Sequence, residues 1–192
     1  ALVVSGLLFF AVRTTATTVS FLEYDRVLTS ELAAVDHIPR GARVIAFTGR
    51  TCRALWMQER RTHLSSIALA RKHVYINDQF IMAGAQLLGV HYPAAGRFFK
   101  DPSQMAVADD CVRQDWSRLT DAVRSFPRDA FDYLWIINPP ESATVNYAGL
   151  EPVWRWRTSV LFRIPKTGQP AMTRRTAAAP ARQDDVQPRT GS

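Results

Sequence analysis

His37-Ile38-Pro39-Arg40-Gly41-Ala42-Arg43-Val44-Ile45-Ala46-Phe47 is the stretch on which the fold class turns. Pro39 cannot continue a helix and Gly41 tolerates a turn, so a helix arriving from upstream stops here. Residues 42–47 are then apolar except for Arg43, the pattern of a short buried strand. Upstream, residues 14–36 carry a helical period. Phe21, Leu28, Leu32 and Val35 recur at spacings of seven, four and three, with Val19, Leu22 and Val27 widening the stripe. Glu23, Asp25, Arg26 and Glu31 fall on the other side of that helix. Helix, Pro-Gly break and buried strand make an α/β unit.

Downstream the same alternation continues. Residues 63–72 read as helix and His73-Val74-Tyr75-Ile76-Asn77 as strand, while residues 81–90 fit either type. Residues 92–102 form a loop rich in Pro, Gly and aromatics. Val112, Trp116, Leu119, Val123 and Phe126 step by four, three, four and three, an amphipathic helix that Pro127 ends. Phe131-Asp132-Tyr133-Leu134-Trp135-Ile136-Ile137-Asn138 is a nearly continuous apolar strand stopped by Pro139-Pro140. Val153-Trp154-Arg155-Trp156 and Ser159-Val160-Leu161-Phe162-Arg163-Ile164, separated by Arg157-Thr158, predict a C-terminal antiparallel hairpin at a sheet edge. The predicted fold is α/β: a small Rossmann-like layered sheet with flanking helices, spanning residues 14–164. From residue 165 to 192 large apolar side chains almost vanish, and the segment reads as a disordered tail.

Ahead of this domain stands Ala1-Leu2-Val3-Val4-Ser5-Gly6-Leu7-Leu8-Phe9-Phe10-Ala11-Val12, followed by Arg13. The segment is apolar all round rather than on one stripe, as lipid-facing or deeply buried helices are. Its twelve residues cover about 18 Å as a helix, short of the roughly 30 Å hydrocarbon core. Residues 1–13 therefore read as the end of a transmembrane helix begun outside this sequence, with a core strand or helix as the alternative. No unbroken apolar run elsewhere reaches the roughly 20 residues of a span, which excludes a polytopic membrane protein for this stretch.

The formal net charge is +7 over 192 residues, but the bases are scattered among acids, without a basic stripe, RNA-binding motif, zinc-finger spacing or phosphate loop. Nucleic acid is accordingly not an expected partner. Basic residues also suit a site beside anionic headgroups. Cys52 and Cys111 lie 59 positions apart, outside any metal-ligand spacing; they are either a disulfide closing a long loop or two separate thiols.

Four histidines invite a catalytic or metal-binding reading. His37 suits the C-terminal end of a helix, where a cation complements the dipole. His63 and His73 are ten apart, which fits no paired-ligand motif, and His91 adjoins a Tyr-Pro turn. A site built from them needs His63, His73 or His91 to meet Asp78 or Asp109 in space. Neighbouring Asp109 and Asp110 point apart on extended chain and read as a solvated turn or a helix start before Cys111. Trp154 and Trp156, interleaved with Arg155 and Arg157, suit either sugar rings, headgroups or packing at the sheet edge. The candidate binding residues are thus His63, His73, His91, Trp154 and Trp156. No nucleophile motif, metal site or cofactor site is read in the sequence.

Ile38-Pro39-Arg40-Gly41-Ala42-Arg43-Val44, Phe131-Asp132-Tyr133-Leu134-Trp135-Ile136-Ile137, Glu151-Pro152-Val153-Trp154 and Val160-Leu161-Phe162-Arg163-Ile164 follow an apolar helix end in that order. The series resembles the C-terminal soluble domain of bacterial polytopic membrane proteins similar to GT-C-type glycosyltransferases. Phe162 stands where Tyr is commoner. The resemblance covers roughly residues 12–164. It implies a non-catalytic domain on the periplasmic side of the bacterial inner membrane, beside a membrane-embedded site that transfers sugar from a lipid-linked donor. The expected partners are membrane lipid, the remainder of the membrane protein, and a glycan or lipid-linked sugar. The catalytic carboxylate it implies lies in an early loop outside this sequence, so no catalytic residue carries over. The alternatives are a free-standing periplasmic enzyme and a membrane-anchored glycan- or lipid-binding module, the latter drawing on Arg97-Phe98-Phe99-Lys100.

Overall fold

The computed structural model describes residues 2–49, 61–79, 81, 89–99, 117–141 and 143–166. Cys52, Cys111, Asp109, Asp110, the helix positions Val112 and Trp116, most of residues 81–90 and the tail from 167 onward lie outside the described residues.

A single helix, α1 (Leu2–Leu32), runs through both the apolar opening and the periodic stretch after it, and passes directly into a 3-10 turn at Ala33–His37. The large apolar side chains on residues 2–22 are all 57–90% exposed. Arg13 is the sole charged residue among those twenty-one, which cover about 31 Å as a helix. It is long and apolar enough to cross a membrane. Val19, Phe21 and Leu22, expected on the buried stripe, are among the exposed residues. The reason is geometric: the folded body begins only near Leu28, which with Leu32 packs against its core.

Among the described residues five strands form one mixed sheet: β1 (Arg43–Thr48), β2 (Tyr75–Ile76), β3 (Tyr133–Ile137), β4 (Glu151–Trp156) and β5 (Ser159–Arg163), in the order β2-β1-β3-β5-β4. β2, β1 and β3 are parallel, with Val44 opposite both Ile76 and Tyr133. β5 runs antiparallel to β3, and β4 closes the expected hairpin, with Trp156 opposite Ser159 across Arg157-Thr158. Arg157 holds φ +51°, the left-handed value this tight turn needs, although it is not glycine.

The chain crosses from β1 to β2 through α2 (Ile67–Lys72), then returns over β1 to β3 through α3 (Ser117–Ser125). Moves in opposite directions along a parallel sheet, both right-handed, put their connections on opposite faces. The core divides accordingly. On one face Leu119, Ala122 and Val123 of α3 pack with Ile45, Phe47, Leu134, Ile136 and Phe162. On the other, Ala34, Val35 and Ile38, with Leu64 and Ala68, cover Val44, Ala46, Ile76, Trp135 and Leu161. Residues 44–47 of β1 and 134–137 of β3 are buried on both sides, which explains why these runs are apolar.

Candidate functional site

In a mixed sheet of this kind, polar groups gather where the parallel strands end, because the backbone groups released there must find partners. β1 ends at Thr48 and is followed by Gly49, whose N–H donates to the Ile137 carbonyl at 2.8 Å. A Cβ at Gly49 would meet the Asn138 carbonyl oxygen at 2.5 Å, so only glycine permits the two strand ends to approach this closely. β2 has two residues, and Asn77 prolongs its pairing with a side chain: its amide oxygen accepts from Ala46 N–H at 2.7 Å and its NH2 donates to the Ala46 carbonyl at 3.3 Å.

Asp78 comes next and is buried. Its carboxylate receives the Ser65 hydroxyl on one oxygen and faces His63 Nδ1 at 2.9 Å with the other, while its carbonyl accepts from Ser66 Oγ. The imidazole of His63 is 49% exposed, so a buried acid holds a histidine that meets solvent. Such a pair fixes the ring's orientation and tautomer and lets the outer nitrogen exchange a proton.

The C-terminal end of α1 reaches the same edge of the sheet. Glu31, expected on the solvent side of the helix, is 1% exposed. Ser159 Oγ donates to its Oε1 at 3.0 Å and accepts from Asn138 N–H at 2.9 Å; Arg61 Nε lies 3.6 Å from the same carboxylate oxygen. Helical periodicity failed for Glu31 because the body wraps that turn from two sides, with β5 and residues 61–66 both against it. Asn138, at φ +48°, is the corner where β3 leaves the sheet.

The opposite edge carries the other dense polar cluster. Arg43 engages Asp132 through Nη2 at 2.6 Å, Nε at 3.0 Å and its backbone N–H at 2.9 Å. Burial pushes the Asp132 carboxyl up, but the hydrogen bonds from Arg43 outweigh it and hold the group below the usual carboxylate value. Arg43 is correspondingly raised, chiefly by that same bond. Burial, reinforced by neighbouring Tyr92, lifts Tyr75 above the ordinary phenol value.

This geography separates the five candidate residues. His63 lies at the carboxyl edge against Asp78. His73 is the left-handed cap of α2, exposed at the amino edge beside the start of β2. His91 is exposed and adjoins Tyr92, whose ring stacks edge-on with Tyr75 at 4.5 Å and whose hydroxyl receives Arg43. The three histidines therefore do not converge, and among the described residues no group of three metal-ligating side chains does. Trp154 is half-buried against the core face covered by α2. Trp156 sits at the hairpin tip, with the Arg157 guanidinium 4.6 Å from its ring centre. Sequence reasoning missed Glu31, Asn77, Ser65 and Ser159; Asn77 alone left a signal, a strand-ending amide beside Asp78.

No protein-family model matches the chain, and no curated protein or solved structure matches it.

Proposed function

We propose that this chain is a non-catalytic domain of a membrane-embedded, glycosyltransferase-like protein, held on the periplasmic side of the bacterial inner membrane beside a site that transfers sugar from a lipid-linked donor. The observation that carries the reading is α1: a folded α/β body is joined without a break to a helix whose first twenty-one described residues keep their apolar side chains outside the body. Residues 2–22 span about 31 Å, the length of a hydrocarbon core, with their large apolar side chains within residues 2–12 and at Val19, Phe21 and Leu22. The order β2-β1-β3, with connections on both faces, supports a Rossmann-like half-sheet extended by a hairpin. On this reading the domain covers the membrane site and meets acceptor, glycan or lipid-linked sugar there.

The test is expression of the full chain in bacteria. Resistance of the membrane fraction to alkaline extraction, with the body digestible from the periplasmic side of spheroplasts, is the expected result. Saturable binding of a lipid-linked sugar to the reconstituted chain extends it; a freely soluble chain contradicts it.

The contact of His63 with Asp78 favours a second reading, an enzyme using that pair as a proton acceptor. His63→Gln abolishing a measured turnover, with fold retained, supports this second reading, whereas full activity in that variant rejects it.

A further inference from the structure

α1 and the β4–β5 hairpin approach the same edge of the sheet, which fixes which end of the body faces the lipid. Glu31 accepts from Ser159 at 3.0 Å, so the end of α1 is level with the first residue of β5. The chain then descends through the 3-10 turn at Ala33–His37, which packs against β4, and enters β1 at the opposite, amino edge. The exposed apolar part of α1 therefore projects beyond the carboxyl edge. The hairpin turn Arg157-Thr158 projects beyond it too, because β5 begins there and runs antiparallel to β3.

We propose that the Trp156–Arg157 tip is a membrane-docking element that sits in the layer of anionic lipid headgroups around α1. This rests on the reading of α1 as a membrane span. Leu22, the last residue before the charged turn Glu23-Tyr24-Asp25-Arg26, is nine residues from Glu31, about 14 Å along the helix. Two strand residues from Ser159 to Arg157 take back about 6–7 Å. With α1 and β5 taken along one direction, roughly 7 Å remain, close to the roughly 5–8 Å depth of one headgroup layer. The chemistry at the tip fits that depth. Trp156 presents an amphipathic ring, and Arg157, exposed and stacked on that ring, presents a fixed positive charge. The left-handed turn at Arg157 places the cation at the apex, where a glycine would satisfy the backbone but carry no charge. Arg26, exposed one turn past Leu22 on α1, adds a second cation near the same level, beside the exposed acids Glu23 and Asp25.

The experiment uses the full chain in nanodiscs of phosphatidylcholine with added phosphatidylglycerol, some lipids carrying a nitroxide on the headgroup. The expected result is quenching of a component of tryptophan emission that Trp156→Phe removes. Arg157→Glu should lower the docked-to-free ratio by at least about fivefold, the weight of one basic residue at an anionic surface, while Arg157→Lys keeps it. If the chain co-purifies with the discs but Trp156→Phe leaves the quenching unchanged, the docking proposal is overturned and the anchor reading stands. Docking is likewise overturned if quenching is indifferent to phosphatidylglycerol and to Arg157→Glu, or if the tip is shielded by a second copy, seen as two chains per disc without quenching. If the chain does not enter the discs at all, both readings fall.

Discussion

Replacing Glu31 with alanine probes the joint between stem and body. The side chain is buried, and Ser159, its donor, is 1% exposed. Truncation leaves the Ser159 hydroxyl proton without this acceptor, a loss of about 1–3 kcal/mol for a buried polar group. One methylene leaves the core contact, about 0.8 kcal/mol. The Arg61 contact, at 3.6 Å and partly exposed, adds at most about 1 kcal/mol. The expected destabilisation is therefore about 2–5 kcal/mol. Glu31→Gln keeps both the volume and the acceptor oxygen, and should cost no more than about 1–2 kcal/mol. Chemical denaturation of the full chain in mild detergent, followed by circular dichroism, measures both. A double-mutant cycle with Ser159→Ala should return a coupling of at least about 1 kcal/mol. Glu31→Ala within about 1 kcal/mol of the parent, or Glu31→Gln as damaging as alanine, refutes the joint described here.

Three other outcomes follow from the structure. Gly49→Ala forces a Cβ into the Asn138 carbonyl at 2.5 Å and must displace the ends of β1 and β3; a loss above about 2 kcal/mol in the same assay is expected. Asp132→Asn removes the charge that Arg43 and Lys166 face, and should cost about 1–3 kcal/mol while leaving membrane association unchanged. Because the folded-state value of Asp132 is depressed, its contribution is fully present above the unfolded carboxylate value near pH 4 and is lost as pH falls through the lower folded value; Asp132→Asn should flatten the acid limb of a stability–pH curve.

Much of this architecture is legible in the residues. Pro39-Arg40-Gly41 ends the helical segment before β1, the runs 42–47 and 131–138 supply the doubly buried strands, and the spacing of Leu119 and Val123 gives the buried face of α3, with Phe126 buried just past its end. The hairpin survives without an Asn-Gly turn because Arg157 accepts the left-handed conformation while its guanidinium stacks on Trp156. The polar joints were not legible. Glu31 and Ser159 are 128 positions apart, and no local pattern marks either as a partner. Periodicity assigned Glu31 to solvent because it assumes one buried face, whereas the last turn of α1 is enclosed from two directions. His63 and Asp78 are fifteen apart, with α2 and β2 between them; only the return of the chain through α2 and β2 brings them together at 2.9 Å. His73 and His91 were equally plausible by type, and the sheet sends them to the other edge.

Hydrogen–deuterium exchange of the full chain in nanodiscs bears on the stem itself. Residues 2–22 should resist exchange for hours, protection should fall across residues 23–30, and the sheet core should exchange on its own global timescale. Rapid exchange throughout residues 2–22, in a chain whose β1 and β3 remain protected, would mean that the apolar helix lies in water and that the body is not hung from a membrane.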